Sequence, residues 1–220
     1  MRVVQQTGLR GSLKWMQRLA QSPTTALDEQ LHAAGVLQWT DRLEWRSPLQ
    51  SDEWAEYRDA AFLKKVGLER LTSSLAAFWP KRGPQWDGLA VAADGSVFLF
   101  EAKAHLREMS STCQAGSDNS RRLISKALAT TKAAYGVPES SDWQSGFYQY
   151  ANRLAHLYFL RRHGFQANLV FVYFTGDQEM VGPLSEEEWR RQLKAVGRHL
   201  GLPDSVPGVV NAFVHTSALL

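Results

Sequence analysis

The sequence predicts an α/β domain with a mixed central sheet flanked by helices. Three observations carry this. Residues 86–105, WDGLAVAADGSVFLFEAKAH, hold two apolar runs on either side of Asp94-Gly95, a turn dipeptide that reads as a β-hairpin. Residues 145–163, SGFYQYANRLAHLYFLRRH, read as a helix. After a turn at Gly164, ANLVFVYF at 167–174 reads as a buried strand, so the two form an α-β pair. Apolar periodicity over 121–135 and 185–200 adds two more helices.

A chain of 220 residues fits one α/β domain, or one domain with an N-terminal extension, and 44% hydrophobic residues allow a sizeable core. The net charge of +3 is mildly basic, which permits a polyanionic partner without requiring one. The single cysteine, Cys113, excludes an intramolecular disulfide and a cysteine zinc site and fits a reducing cytosol. It lies among polar residues and does not read as a nucleophile. No apolar run reaches the roughly 18 residues that span a bilayer, and MRVVQQTGLRGS lacks an apolar signal core, so no membrane is expected as a partner and the expected location is cytoplasmic. No P-loop, dinucleotide-binding glycine fingerprint, HExxH or GxSxG is present, which excludes those chemistries.

Taken in order, residues 12–20 read as a short helix capped by Ser12 and broken at Ser22-Pro23. A second helix follows over 24–34 and ends at Gly35. Residues 36–45 have scattered aromatics and room for a short strand before Ser47-Pro48. Residues 1–50 therefore read as a helical extension and 51–220 as the main domain. Ser51 to Gly67 reads as a helix: Ser51 is a good N-cap, Asp52 and Glu53 suit the first turn, and Trp54, Tyr57 and Ala61 form a stripe with Glu56 beside it. Residues 68–79 look helical too, with Leu68, Leu71, Leu75 and Phe78 in step. Pro80 to Pro84 is a basic turn, and 108–120 a polar loop suited to a lid. On helix 145–163, Gln149, Asn152, Arg153 and His156 share one face, either solvated or turned toward a site. Ser185 and Glu188 form a capping box, and 208–215 reads as a last strand at the sheet edge or returning to the sheet.

The chemistry gathers at the hairpin. Val97-Phe98-Leu99-Phe100 suits a central strand, yet it runs into Glu101-Ala102-Lys103. Asp87 and Glu101 stand on either side of the turn, so the hairpin brings both carboxylates to the same end of the sheet, and period-two alternation sets Lys103 on the face of Glu101. Two carboxylates and a lysine can bind a hard cation such as Mg²⁺, and the lysine can hold a water. The plainer reading is a structural ion pair at a strand end.

At these residues the chain resembles the PD-(D/E)XK nuclease superfamily, with Trp86-Asp87 in place of Pro-Asp and Glu101-Ala102-Lys103 as the second half of the signature. The resemblance implies a restriction-endonuclease-like α-β-β-β-α-β core over about residues 52–175. It implies a Mg²⁺-dependent nuclease, with Mn²⁺ as a substitute, acting on nucleic acid with DNA as the expected form. Asp87, Glu101 and the Ala102 carbonyl would hold the metal, and Lys103 would position water. Glu56, which has Leu63 seven residues on and Gly67 eleven on as resolvase-like members do, becomes the candidate first-helix carboxylate. Gln149 becomes the candidate later-helix glutamine, with Asn152 behind it. The expected order also asks for a first core strand, which the helical pattern of 68–79 does not supply. Two other readings stay open: a silent nucleic-acid- or protein-binding module on the same fold, and an α/β enzyme acting on a small phosphorylated ligand. A homodimer also stays open.

Overall fold

The computed structural model describes residues 1–22 and 25–220. The expected break at Pro23, and Thr24 at the head of the second expected helix, lie outside them. In chain order the elements begin with β1 (Arg2–Val3), α1 (Gly11–Gln21), α2 (Thr25–Ala33), β2 (Glu44–Ser47) and β3 (Glu56–Tyr57). Next come α3 (Ala60–Lys65), α4 (Thr72–Phe78), β4 (Gly88–Val91), β5 (Val97–Lys103) and α5 (Asp118–Ala134). The chain ends with α6 (Tyr148–Arg162), β6 (Ala167–Thr175), α7 (Glu186–Leu200) and β7 (Val209–His215). The central sheet is mixed, five strands in the order β2-β4-β5-β6-β7. β4 runs antiparallel to both its neighbours, β2 and β5; β5, β6 and β7 run parallel.

The hairpin forms because its turn closes on itself. Gly95 takes φ +84°, a conformation that suits glycine, while Asp94 accepts hydrogen bonds from the Ser96 N–H and hydroxyl, both at 2.8 Å. The register Val91–Val97 to Gly88–Phe100 follows.

Alternation along β5 then divides the core. Val97 and Leu99, with Leu169, Phe171 and Tyr173 of β6, face α5, α6 and α7. Phe98, Phe100 and Ala102, with Val170, Val172 and Phe174, face α1 and α2. Burying Trp15, Met16 and Leu19 of α1 there contributes about 1.5–3 kcal/mol each. Gly88 lets α1 come this close: a Cβ at that position would overlap the Met16 methyl and crowd Trp45 at 3.1 Å and Phe100 at 3.2 Å.

The first 50 residues hold the two expected helices, but they are built into the fold and do not stand apart as an extension. α1 and α2 form the layer under one sheet face, and β2 is a strand of the central sheet. Trp15 Nε1 donates to Asp177 at 2.8 Å, so this buried aspartate just beyond β6 anchors α1. Ser12 does not cap α1; its hydroxyl donates to Glu108 at 2.8 Å.

The helix expected over Ser51–Gly67 is broken. Only Ala60–Lys65 is α-helical; Gln50–Asp52 is a 3₁₀ turn, and Glu56–Tyr57 is a strand paired with Arg2–Val3. Glu53, Trp54 and Asp59 all take positive φ, near +50°, which no helix allows, and the Tyr57 carbonyl accepts the Trp86 N–H at 3.0 Å. Pairing with distant strands overrides the local periodicity. Residues 69–78 are helical as their own pattern says, so the sheet strand before the hairpin is β2.

The loop expected as a lid is tied down at its centre. The Ser111 N–H donates to the Gly146 carbonyl and the Cys113 N–H to the Gln144 carbonyl, each at 2.8 Å. Ser185 sits at the N-cap of α7, but its hydroxyl makes no cap bond; Glu188 accepts from the Leu184 N–H at 3.4 Å instead. At the outer edge of β7, the Gln30 side chain donates to the Phe213 carbonyl and accepts from its N–H, both at 2.8 Å. Among the described residues, no helix is long and apolar enough to cross a membrane.

Candidate functional site

The hairpin register, extended one pair beyond Gly88–Phe100, sets Asp87 opposite Glu101. The ladder stops at Gly88 because the Asp87 side chain takes over as acceptor: its Oδ2 receives the Ala102 N–H at 2.7 Å. In an extended strand the N–H and carbonyl of one residue leave by the same edge, so the Ala102 carbonyl also leaves β5 on the Asp87 side. Glu101 and Lys103 sit on the α6 face, 1% and 7% exposed. The Lys103 ammonium donates to Glu101 Oε1, and at 3.0 Å to Gln149 Oε1. The structure therefore brings Asp87, Glu101, Ala102, Lys103 and Gln149 together.

Glu56 joins them from β3 and not from a helix. It is 6% exposed, and its Oε2 accepts from Gln5 at 2.9 Å and from Gln85 at 2.5 Å. Glu56, Asp87, Gln149 and Asn152 all line an open cleft of about 470 Å³. His105 is turned away into a local role, its Nδ1 accepting the Arg107 N–H at 2.9 Å.

Sequence reasoning missed the role of Arg153. This side chain is 3% exposed and reaches Glu101 Oε2 with Nε at 2.7 Å and a terminal nitrogen at 2.6 Å. It also donates to the Gln85 carbonyl and to Asn152 Oδ1, each at 2.8 Å, and stacks 5.0 Å above the Trp86 ring. The polar face of α6 is buried: Asn152, Arg153 and His156 are each 8% exposed or less. The available signal was a helix with apolar residues all round, which leaves no solvated side for an arginine.

The electrostatics follow from crowding. Burial, then the charges of Glu101 and Glu56, push the Asp87 carboxyl well above the usual aspartate range. Burial also raises Glu56, with Glu101 adding to it. Burial would raise Glu101 as well, but the Arg153 and Lys103 charges outweigh it and hold this carboxyl below its ordinary value. Beneath the cleft, burial drives His156 down to about 3, so it is neutral, and its Nδ1 donates to the Asn152 carbonyl at 2.9 Å.

One wall is held under strain. Asp59, at φ +55° and ψ −146°, sits in a region almost reserved for glycine. Its carboxylate accepts the Gly83 N–H at 2.9 Å and the Arg82 N–H at 3.3 Å, which fixes the basic turn with Arg82 lining the cleft.

Among the described residues, no group of three His, Cys, Asp or Glu side chains could hold a metal ion. The smaller set of Asp87, Glu101 and the Ala102 carbonyl is what remains to consider. Compared with protein-family models, with curated proteins and with solved structures, the chain has no significant match in any of the three.

Proposed function

We propose that the chain is a metal-dependent nuclease of the PD-(D/E)XK kind, hydrolysing phosphodiester bonds in nucleic acid, with DNA as the first substrate to test. The observation that carries this is Asp87 opposite Glu101, with Lys103 hydrogen-bonded to both Glu101 and Gln149, beside an open cleft. The order α2, β2, β4, β5, α6, β6 reads α-β-β-β-α-β, with β3, α3 and α4 inserted after β2 and α5 inserted after β5, and it supports the same reading.

The donor set suits Mg²⁺ or Mn²⁺, which take one or two carboxylates and fill the remaining positions with water and substrate. Asp87 is the better donor: only its Oδ2 is hydrogen-bonded among the described residues, and its neighbours' negative charge favours an added cation. Glu101 and the Ala102 carbonyl complete the set. A divalent cation there supplies Lewis acidity toward the phosphodiester.

The chain's own groups do the rest. Lys103 has three N–H donors, two of them directed at Glu101 and Gln149, which leaves one for the attacking water or a phosphate oxygen. Glu56, at the cleft wall with its carboxyl raised above its ordinary value by burial, is suited to accept the proton that water loses. Water attacks phosphorus, the P–O bond to the leaving sugar oxygen breaks, and that oxygen ends protonated. Arg153 keeps Glu101 ionised and fixed in place.

One observation favours the alternative, a silent nucleic-acid- or protein-binding module. Both Glu101 oxygens are already paired, one with Lys103 and one with Arg153. The deciding experiment is cleavage of pooled labelled duplex, single-stranded and branched DNA and RNA with Mg²⁺ or Mn²⁺, with Lys103→Ala as control. The nuclease reading expects metal-dependent cleavage, reduced at least about 100-fold in the variant. No cleavage, together with no calorimetric metal binding to the wild-type chain, selects the silent module.

A further inference from the structure

The cleft beside Asp87 has a larger neighbour. A second, of about 840 Å³, opens between α7 and β7. Its rim carries Arg190, Lys194 and Arg198, all exposed. They are spaced by four residues on α7, so they form one stripe with about 6 Å between successive positions along the helix. Asp204 is the one acid among the lining residues, and Glu186, outside the cleft, pairs with Arg190 at 3.0 Å. Three cations against one lining carboxylate leave the rim positive.

The floor is aromatic. The Tyr150 ring lies flat on Phe171, with centroids 4.0 Å apart and planes 3° from parallel. Phe213 lies beneath the Arg190 guanidinium, which stands 4.4 Å above the ring and is held over the cleft by that contact. Those contacts cover Phe171 and Phe213 and leave Tyr150 as the ring facing the cleft; a row of cations beside such a ring suits a sugar–phosphate backbone whose base stacks, and a base can stack there only when it is unpaired.

The two clefts are joined by α6. Gln149 lines the first and Tyr150 the second, and these are consecutive residues in the first turn of that helix. The two clefts therefore flank the first turn of α6.

We infer that the α7–β7 cleft is a second contact for single-stranded nucleic acid, with Arg190, Lys194 and Arg198 on successive phosphates and the half-buried Tyr150 beneath a base. The inference rests on the nucleic-acid reading above, and it names the substrate as a chain unpaired beyond the point of cleavage.

The test is fluorescence anisotropy with a labelled oligothymidylate of about 16 nucleotides, in EDTA so that nothing is cleaved. The variant is Lys194→Ala/Arg198→Ala, and the charge-matched control is Lys64→Ala/Arg122→Ala, both of whose sites are exposed and outside the two clefts. The expected result is about a tenfold or greater loss of affinity in the variant, with a salt dependence shallower by about 1.4 in log–log slope for two lost phosphate contacts. The control should bind as wild type does, and a duplex of equal length should bind more weakly. No binding by wild type, unchanged binding in the variant, an equal loss in the control, or equal affinity for duplex would each overturn the second contact. Metal-dependent cleavage is scored separately. Cleavage by a wild type whose binding ignores Lys194 and Arg198 removes this inference and leaves the nuclease reading; charge-dependent binding without cleavage does the reverse.

Discussion

The two faces of β5 make a controlled comparison, because they share one backbone. Toward α1 and α2 the strand presents Phe98, Phe100 and Ala102, packed among other apolar side chains. Toward α6 it starts the same way, with Val97 and Leu99, and then presents Glu101 and Lys103, both buried. One face holds the sheet against its helices; the other uses the same burial to force charges together. The lesson is that the period-two geometry of a strand lets one segment do both, with the charged residues placed only where a neighbouring helix supplies a countercharge.

The strongest way to break the difference is to remove that countercharge. Arg153→Met leaves Glu101 buried with Lys103 as its one cationic partner. It should destabilise the fold by about 3–5 kcal/mol in urea titration, while Arg153→Lys, which keeps the charge but not the fork, should lose less.

His156 tests the same face through pH. Folded, it stays neutral down to about 3; unfolded, it takes up a proton near 6.5. The unfolded state therefore binds more protons between these values. The stability that His156 contributes is full above pH 6.5 and drains away as pH falls toward 3. The urea midpoint of wild type should drop by the equivalent of about 2–4 kcal/mol across that window, and His156→Phe should flatten the profile.

The apolar face should answer to volume and not to pH. Gly88→Ala pushes a methyl into Met16, Trp45 and Phe100 and should cost about 1–3 kcal/mol at any pH at which the chain is folded.

The smallest effect has the opposite sign. Asp87→Asn removes a carboxyl raised above its ordinary 3.8, yet keeps an oxygen for the Ala102 N–H. For a raised acid, folded stability is lost as pH climbs above the ordinary value. The variant should therefore match wild type near pH 3 and exceed it by about 1 kcal/mol at pH 8 in thermal melts; the proposed nuclease reading adds that any metal-dependent cleavage is lost.

The apolar face and the hairpin were readable in the sequence because their signals are local. Asp94-Gly95 between apolar runs marks a turn, and seven steps either way from Asp94 place Asp87 opposite Glu101. Glu56 was harder. Its neighbourhood has helical spacing, but its conformation is set by Arg2, Val3 and Trp86, partners at least 29 residues away. Arg153 was hidden for another reason: a polar stripe on a helix normally faces water, and although the apolar residues around α6 hinted at burial, its partners Glu101 and Trp86 appear once the fold is assembled. The cationic stripe of α7 looked equally ordinary until β7 arrived beside it.

The bonds from Gln30 to Phe213 bear on how this protein behaves in crowded solution. A sheet whose last strand shows bare amides and carbonyls invites any passing strand to extend it. Here one primary amide occupies both groups of Phe213, as a neighbouring backbone would. The opposite border, β2, is short, irregular in register between Trp45 and Ser47, and followed at once by Pro48. Both borders of the sheet are thus guarded against templated aggregation, and two copies pairing border to border at β7 would first have to evict Gln30.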